Sequence, residues 1–271
     1  MSECIVVTSG KGGVGKTTCS ANLGVALAMQ GVTVAVVDAD IGLRNLDVIL
    51  GLENRIVYDL VHVIEGECRL KQALIRDKRA EGLYLLPAAQ TRDKNAVTPQ
   101  QMRELVGKLK DEFDYVLVDC PAGIEQGFKN AVAGADRAII VTTPEVSAIR
   151  DADRIIGMVE AAELPEPHLI INRYRSKMVS RGDMMNKEDI LEILAIPLLG
   201  IVPDHEDIII SANRGVPAVF DESSIVGEAF RRIGRRINGE PNVPELDFSD
   251  GNGIWGTMKR WMGFGAAQGV A

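Results

Sequence analysis

A glycine-rich segment near the start of the chain has residue types and spacing suited to binding phosphate. It reads Gly10-Lys11-Gly12-Gly13-Val14-Gly15-Lys16-Thr17-Thr18 and satisfies the pattern G-x-x-x-x-G-K-[ST]. Glycines let backbone N–H groups turn toward phosphate oxygens, and the N-terminus of a following helix adds partial positive charge. Lys16 can reach the β- and γ-phosphates, and Thr17 can ligate Mg²⁺. The segment therefore predicts a site for a nucleoside triphosphate with Mg²⁺.

The glycines of this segment also spell G-x-G-x-x-G, the pattern of a dinucleotide-binding turn. Asp38 stands about where the ribose-binding acid of such a site would be. A dinucleotide turn, however, has no need of Lys16 followed by hydroxyls, and a second lysine, Lys11, would crowd positive charge around the pyrophosphate. The residues favour a mononucleoside triphosphate over a dinucleotide.

Acidic residues follow two of the apolar runs. The run that begins at Tyr115 ends in Asp119, an arrangement that places a carboxylate near Mg²⁺, although aspartates also end strands as ordinary turn residues. Asp38 and Asp40 end another run, and alternate residues of a strand point the same way, so both can face the nucleotide crevice. We predict Thr17, Asp38 and Asp119 as the metal site. Asp40 is the candidate that orients or deprotonates the attacking water.

These segments lie between elements that alternate along the chain. Short apolar runs rich in β-branched residues are typical of buried strands, and stretches with helical spacing separate most of them. The alternation predicts an α/β fold with a mainly parallel twisted sheet and helices on both faces. The predicted strands are Ile5–Thr8, Val32–Val37, Leu83–Leu86, Tyr115–Val118, Ala138–Thr142, Leu169–Ile171 and Leu198–Val202, and the predicted helices include Thr17–Gln30, Thr98–Leu109, Val146–Ala162, Lys187–Leu194 and Ile225–Ile237.

Composition narrows the function classes. The chain has 271 residues, 46% hydrophobic and 25% charged, which excludes a disordered or fibrous protein. Acidic residues outnumber basic ones, 38 to 30, so a broad nucleic-acid surface is disfavoured and no specific nucleic acid is expected. Four scattered cysteines favour a reducing interior over a disulfide framework or a zinc site. The strand-like run at Cys4 leaves no room for a signal peptide, and we expect a cytoplasmic location.

Four motifs together resemble the MinD/ParA family of deviant Walker A P-loop ATPases, and within it the cell-division regulators. They are the phosphate-binding segment with its additional Lys11, the run Asp38–Asp47 that reads DADIGLRNLD, the run Asp119–Ile124 that reads DCPAGI, and Thr143-Pro144-Glu145. The resemblance covers Met1 to about Gly239. It implies the three-layer P-loop NTPase fold, hydrolysis of ATP with Mg²⁺, and a homodimer that sandwiches ATP.

The resemblance also implies roles for single residues. Lys11 would reach the phosphates bound by the partner subunit and act in catalysis with Lys16 and Asp40. Gly123 would belong to a switch loop that senses the γ-phosphate. Asn172 and the Pro203-Asp204 segment would contact the base, although an ordinary turn explains these positions as well.

Partners follow from the same resemblance. The family's cell-division members position the septum, recruit a septum inhibitor, MinC, and are released by MinE. The helix that begins near Arg150, Asp151 and Asp153 resembles the family's partner-binding region, and a solvated helix face is the alternative. A location on the cytoplasmic face of the inner membrane, peripheral to it, is the corresponding expectation.

The end of the chain changes in character. We divide the sequence into an ATPase domain (1–238), a linker (239–253), an amphipathic membrane-targeting helix (254–265) and a tail (266–271). Both tryptophans lie in the amphipathic segment, and no acid follows Asp250, which suits an anionic lipid surface. Docking of this helix on the protein's own body or on a partner is the alternative. The predicted membrane contacts are Ile254, Trp255, Met258, Lys259, Arg260, Trp261, Met262 and Phe264.

Two other functions remain open at this point. A ParA-like ATPase that partitions DNA would use the basic face of the last helix for phosphate contacts, but the tail and the acidic balance argue against it. An iron–sulfur carrier would need paired thiolates, and Cys120 could pair across a dimer, although a small buried residue is the simpler explanation. The arginines of the basic face are Arg231, Arg232, Arg235 and Arg236.

Overall fold

The computed structural model describes residues 2–92, 96–165 and 167–246, and the predicted membrane-targeting helix and tail lie outside them. Within these ranges the strands form one eight-stranded sheet in the order β3-β4-β2-β5-β1-β6-β7-β8. The strands are β1 (Glu3–Thr8), β2 (Val34–Asp38), β3 (Ile75–Arg76), β4 (Leu83–Leu86), β5 (Tyr115–Asp119), β6 (Arg137–Thr142), β7 (His168–Tyr174) and β8 (Leu198–Pro203). The helices are α1 (Lys16–Ala28), α2 (Leu46–Ile49), α3 (Leu60–Ile64), α4 (Leu70–Ala73), α5 (Pro99–Lys110), α6 (Gln126–Val132), α7 (Val146–Ala161), α8 (Ser176–Ser180), α9 (Lys187–Leu194), α10 (Asp207–Arg214) and α11 (Ile225–Ile237), with short 3-10 turns at Glu53–Arg55 and Ala218–Phe220.

The sheet is parallel except where β3 runs antiparallel to β4. The predicted α/β fold, with a mainly parallel sheet and helices on both faces, is confirmed. Strand β1 lies between β5 and β6, and β2 lies on the other side of β5. Because the carboxyl ends of parallel strands meet at one edge, the residues that follow β1, β2 and β5 converge there.

Two apolar layers cover the two faces of the sheet. Along β1, Cys4 and Val6 point into the layer that packs beneath α5 and α7, whereas Ile5 and Val7 point into the layer beneath α1 and α11. Helix α1 is buried almost all round because it is held between the sheet and α11. Helix α1 approaches the sheet so closely that position 24 requires glycine, since a Cβ on Gly24 would lie 2.5 Å from Val36 Cγ2.

The predicted elements are confirmed with shifts of a few residues at their ends. Strand β2 begins at Val34, two residues later than predicted. Helix α1 ends at Ala28, and Gly31 follows with φ +84°, which a C-terminal turn favours. Thr98 forms a capping box with Gln101 at the start of α5. The short elements β3, α2, α3 and α4 are not predicted, since two to five residues carry little periodicity.

Residues 239–246 are the described part of the predicted linker, and they are held on the domain. Arg232 Nη1 donates to the Glu245 carbonyl at 2.9 Å, and Arg236 Nη2 donates to the Val243 carbonyl at 2.9 Å. Lys187 Nζ lies 2.9 Å from the Glu245 carboxylate. In the part of the chain that the structure describes, no helix combines the length and the apolar character needed to cross a membrane.

Candidate functional site

The phosphate-binding segment forms the turn between β1 and α1. Gly13 and Gly15 have φ of +79° and +98°, values that side chains disfavour. Ser9 Oγ donates to the Lys11 carbonyl at 2.8 Å and closes the first part of the turn. Nothing lies within 4 Å of the position that a Cβ on Gly13 would take. The turn therefore leaves an open, backbone-lined cradle at the N-terminus of α1, which fits a phosphate group.

Asn172, in the second half of β7, supports this turn. Its Nδ2 donates to the Val14 carbonyl at 2.7 Å, and a Cβ on Gly15 would lie only 2.3 Å from the same atom. Asn172 is 6% exposed. The predicted base-contacting residue thus holds the phosphate loop through its amide nitrogen, and contact with a base stays a prediction for the rest of the side chain.

Asp38 and Asp119 are neighbours across β2 and β5, where the register pairs them directly. Both are 1% exposed. Burial and the charge of Asp119 raise the pKa of Asp38 to about 7, and burial raises the pKa of Asp119 to about 6. Two buried carboxylates side by side repel each other unless a proton or a cation lies between them.

Helix α1 supplies the groups that face this acid pair. Ser20 Oγ donates to Asp119 Oδ1 at 2.9 Å, and Thr17 also donates its hydroxyl to Asp119. The charge of Lys16, a residue that is 7% exposed, counteracts the rise in the pKa of Asp119. The structure thus brings the predicted metal set of Thr17, Asp38 and Asp119 together beside Lys16.

The donor set of this group suits Mg²⁺. It consists of oxygen atoms alone, which hard divalent cations prefer, and a cation would relieve the repulsion between the two carboxylates. Among the described residues no cluster of three or more His, Cys, Asp or Glu side chains is arranged to hold a metal. A magnesium ion here would accordingly take its remaining ligands from water and phosphate, as this ion commonly does.

Asp40 lies just beyond the strand rather than in it. Strand β2 ends at Asp38, and the Asp40 backbone N–H donates to Asp38 Oδ1 at 3.0 Å. The prediction that the strand continues to Asp40 is therefore wrong, because a turn closed by the Asp38 side chain replaces the pleat after Asp38, and the placement of both carboxylates in the crevice stays a prediction. This hydrogen bond keeps the two residues in contact, and Asp40 is more exposed than Asp38.

Lys11 is turned toward its own chain. Its Nζ lies 3.2 Å from Ser147 Oγ and 3.7 Å from the Glu145 carboxylate, at the start of α7. Helix α7 also packs against the phosphate loop, since a Cβ on Gly10 would lie 2.2 Å from the Asp151 carbonyl oxygen. The charged helix predicted as a partner-binding region is thus in direct contact with the loop.

The predicted switch residue, Gly123, lies in the turn after β5. It has φ +93°, and a Cβ added to it would meet no described atom within 4 Å, so the turn is open at this point. Ala122 faces the phosphate loop, with its Cβ 3.8 Å from the position of a Cβ on Gly12. The turn after β5 therefore lies beside the phosphate loop, and the switch role of Gly123 stays a prediction.

Pro203 ends β8 at the same edge of the sheet, and Asp204 follows it. The Asp204 carboxylate pairs with Arg175, and its backbone N–H donates to the Tyr174 carbonyl at 3.0 Å. The preceding residue in β7, Arg173, is held with φ +56° at an irregularity in the β7–β8 register. The segment lies at the edge of the sheet where the phosphate loop lies, and base contact by Pro203 and Asp204 stays a prediction.

Three residues of the site have no counterpart in the predictions. Ser20 bonds Asp119, Ser147 bonds Lys11, and Arg175 pairs with Asp204. Ser20 follows Thr17 by three residues, so helical spacing could have placed both hydroxyls on one face. The other two depend on contacts between distant segments and leave no local pattern.

The residues that the two alternative functions would use, the arginines of the last helix and Cys120, are engaged or buried within the chain itself. The arginines of the last helix bind carbonyls or carboxylates of the same chain: Arg231 binds Val219 and Glu228, Arg232 binds Glu228 and Glu245, Arg235 binds Glu240, and Arg236 binds Leu199 and Val243. Cys120 is buried, and burial raises the pKa of its thiol to about 12, so the ligating thiolate is disfavoured. Neither a basic DNA-binding face nor a thiolate pair is formed by these residues in the single chain.

The comparisons of this chain with known proteins all match members of one protein family. Residues 5–218 match the family described as the CobQ/CobB/MinD/ParA nucleotide binding domain. The chain is 55% identical to the septum site-determining protein MinD of Bacillus subtilis, over 97% of this chain and 99% of that protein. Among solved structures, the MinC:MinD cell division protein complex of Aquifex aeolicus aligns with a TM-score of 0.83 and 48% identity, covering 88% of this chain and 97% of that one.

A second solved structure contains nucleotide. The septum site-determining protein MinD of Pyrococcus horikoshii, complexed with Mg-ADP, aligns with a TM-score of 0.81 at 30% identity. The match covers 90% of this chain and 98% of that one. The similarity therefore extends over nearly the whole of each relative.

Proposed function

The chain belongs to the CobQ/CobB/MinD/ParA family of nucleotide-binding proteins, and from this membership we propose that it is a Mg²⁺-dependent ATPase that helps to position the division septum. The observation that carries the proposal is the convergence of the glycine-rich turn, Lys16 and the buried Asp38–Asp119 pair at one edge of the sheet. Each part alone occurs in other proteins, whereas together they provide phosphate donors, a cation site and a charged lysine in one crevice.

The proposed chemistry is hydrolysis of ATP to ADP and phosphate. The backbone N–H groups of residues 12–17 and the Lys16 ammonium would hold the phosphates, and Thr17, Asp38 and Asp119 would hold Mg²⁺, which neutralises charge that develops on the phosphate oxygens. Asp40 would orient the attacking water and accept its proton. Its position beside Asp38 and outside the strand leaves its carboxylate nearer to solvent than either member of the buried pair.

We further propose that ATP joins two copies of the chain. Lys11 would leave Ser147 and Glu145 and reach the phosphates in the partner subunit. Both side chains of the ion pair are well exposed, 44% for Lys11 and 58% for Glu145, so this rearrangement breaks only a surface contact. Gly123, in the open turn beside the phosphate loop, would report whether the γ-phosphate is present.

Membrane binding is proposed for the segment 254–265, which lies outside the described residues. Full burial of one large apolar side chain contributes about 1.5–3 kcal/mol, and ordering of the peptide offsets part of this. A single copy would therefore bind lipid marginally. Two copies joined in a dimer bind as a tethered pair, which can raise the apparent affinity by about 10² to 10⁴. ATP would in this way control residence at the cytoplasmic face of the inner membrane.

The proposed protein partners are a MinC-type septum inhibitor and a MinE-type release factor. The relative from Aquifex aeolicus is seen in a MinC:MinD complex. In this chain the charged start of α7 lies on the protein surface and touches Gly10 of the phosphate loop. A partner bound to α7 would therefore be in a position to change the phosphate loop.

The experiment combines size measurement with vesicle sedimentation. We expect Asp40→Ala to form a dimer with ATP and to sediment with anionic vesicles, and to do neither with ADP. Lys16→Ala is the matched control, since it should bind no nucleotide and stay monomeric in both conditions. A chain that remains monomeric while saturated with unhydrolysed ATP would contradict the dimer. Equal sedimentation with ATP and ADP would contradict control of membrane binding by the nucleotide.

A further inference from the structure

Arg79 joins three segments that are far apart in the sequence. Its guanidinium donates to the Gly215 carbonyl at 2.8 Å and also to the Leu50 carbonyl. It pairs with the Asp77 carboxylate, with Nη2 2.6 Å from Oδ2 and Nε 3.1 Å from Oδ1. The guanidinium carbon lies 5.5 Å from the centre of the Phe220 ring, within the range of a cation–π contact.

Asp77 fixes the orientation of this guanidinium. The Asp77 side chain is fully buried, and its Oδ1 also accepts the Arg79 backbone N–H at 2.7 Å. Hydrogen bonds from Arg79 lower the pKa of Asp77 in spite of its burial. The carboxylate is therefore charged at neutral pH, and the planar fork of Arg79 is held in one direction.

The Leu50 carbonyl connects Arg79, through α2, with the part of the site that holds Asp38 and Asp40. Leu50 follows directly after α2, and at the other end of that helix the Leu46 backbone N–H donates to Asp38 Oδ2 at 3.3 Å. The other oxygen of Asp38 accepts the Asp40 N–H at 3.0 Å. Helix α2 thus lies between Arg79 at one end and the acid pair at the other.

The Gly215 carbonyl connects Arg79, through α10, with the part of the site that holds Pro203 and Asp204. Gly215 ends α10, the helix that follows the Pro203-Asp204 segment. The backbones of the two loops touch, since a Cβ on Gly51 would lie 2.5 Å from the Gly215 oxygen. This contact leaves no room for a side chain between the loops, and Arg79 donates to the carbonyls on both sides of it.

We propose that Arg79 is a positioning residue for the ATPase reaction: by holding the carbonyls of Leu50 and Gly215 on one guanidinium fixed by Asp77, it sets α2, and through α2 the placement of Asp38 and Asp40, relative to α10. The inference rests on the proposed ATPase function for its kinetic consequence. Its structural consequence, joint ordering of the 38–52 and 207–216 segments, does not depend on that function.

Lysine cannot replace arginine in this arrangement. An ammonium at residue 79 would keep a charge for Asp77, so the buried carboxylate would not be left without a partner. Its three N–H donors all radiate from one nitrogen, however, whereas Arg79 reaches the carboxylate and the two carbonyls from three separate nitrogens of a planar fork. Arg79→Lys therefore separates the positioning role from the simple need to neutralise Asp77.

The test compares Arg79→Lys with Lys78→Gln, a change at the exposed neighbouring residue in the same turn. Three quantities are measured for each protein: ATP turnover with anionic vesicles, ADP affinity by calorimetry, and backbone hydrogen exchange in the absence of nucleotide. For Arg79→Lys we expect turnover to fall about tenfold while ADP affinity changes less than about threefold, because a small displacement of catalytic groups affects rate more than binding. Exchange should rise together in residues 38–52 and 207–216 and stay unchanged in β1 and α5.

Lys78→Gln should match the wild type in all three measurements. Turnover of Arg79→Lys equal to that of the wild type would overturn the proposal, as would increased exchange in only one of the two segments or uniformly over the domain. If the wild type itself hydrolyses no ATP, the proposed function fails, and the exchange data alone decide whether Arg79 orders both segments.

Discussion

Lys11 Nζ lies 3.2 Å from Ser147 Oγ of the same chain. The lysine that we propose to act in the partner subunit therefore contacts its own subunit when the chain is alone. The accompanying ion pair with Glu145 spans 3.7 Å between well-exposed side chains. Exposed pairs of this kind contribute about 0–1 kcal/mol. The single-chain position of Lys11 is therefore a resting position that costs little to leave.

Lys11→Ala and Glu145→Gln should have very different effects on dimerisation. Lys11→Ala removes the group that would cross to the partner's phosphates, and we expect loss of the ATP-dependent dimer with ADP affinity retained. Glu145→Gln removes only the surface pair, so the dimerisation constant should change by less than about fivefold. Sedimentation velocity with a slowly hydrolysed ATP analogue measures both, and a normal dimer in Lys11→Ala would disprove the assigned role.

Asp40→Ala should separate binding from turnover. Asp40 lies beside the acid pair but does not belong to the glycine-rich phosphate loop. We therefore expect the ATP affinity of the variant to remain within about threefold of the wild type, while its turnover falls by about 10² to 10⁴. Single-turnover hydrolysis and calorimetry with ATP measure the two effects. Asp40→Asn keeps the shape and removes the base, and it should behave like Asp40→Ala. Turnover near the wild-type rate in either variant would remove Asp40 from the mechanism.

The buried acid pair predicts that the metal-free protein is less stable at high pH. In the folded chain the pKa of Asp38 is about 7 and that of Asp119 about 6, both raised from an ordinary value of 3.8. Between pH 3.8 and about pH 7 these two carboxyls bind more protons in the folded state than in the unfolded state. The free energy of unfolding therefore falls as the pH rises through this range. We expect a loss of about 2–4 kcal/mol from pH 5 to pH 8, measured by urea unfolding in EDTA.

Asp38→Asn is the control for this pH dependence. Without the second carboxylate the repulsion disappears, and most of the loss between pH 5 and pH 8 should disappear with it. Mg²⁺ should raise the unfolding temperature of the wild type more at pH 8 than at pH 5, because the ion binds deprotonated carboxylates. A wild-type stability that rises from pH 5 to pH 8 in parallel with that of Asp38→Asn would contradict the assigned pKa shifts.

The sequence predicts the parts of the site that depend on local pattern. The glycine spacing locates the phosphate turn, and the apolar run ending in Asp119 locates a carboxylate at the end of a strand, because both signals are contained in a few consecutive residues. The α/β alternation is likewise a property of consecutive segments. Strand β3 is not predicted because two residues carry no periodicity.

The rest of the site depends on which segments become neighbours. Asp38 lies beside Asp119 because β2 pairs with β5 rather than with β1, and strand order is not contained in either strand. The contact of Lys11 with Ser147 and the contacts of Arg79 with Leu50 and Gly215 arise in the same way. Local reasoning extended β2 to Asp40, but the strand ends two residues earlier, at Asp38, whose side chain accepts the Asp40 backbone N–H.

The phosphate turn offers a comparison of two glycines that differ in their surroundings. Gly13 and Gly15 both have positive φ, but a Cβ on Gly13 would meet nothing within 4 Å, whereas a Cβ on Gly15 would lie 2.3 Å from Asn172 Nδ2. Gly13→Ala should therefore cost only the backbone strain, about 1–2 kcal/mol in the free energy of unfolding. Gly15→Ala should cost more, since the amide of Asn172 must also move and release the Val14 carbonyl.

Urea unfolding without nucleotide measures this difference, and the double variant Gly15→Ala with Asn172→Ala isolates its cause. Removing the amide removes the steric conflict, so the two changes together should destabilise the domain less than the sum of the single changes, by more than about 0.5 kcal/mol. Equal destabilisation by Gly13→Ala and Gly15→Ala, or strict additivity in the double variant, would show that Asn172 does not hold the turn. In that case the support for the phosphate loop would have to come from α7, which contacts it at Gly10.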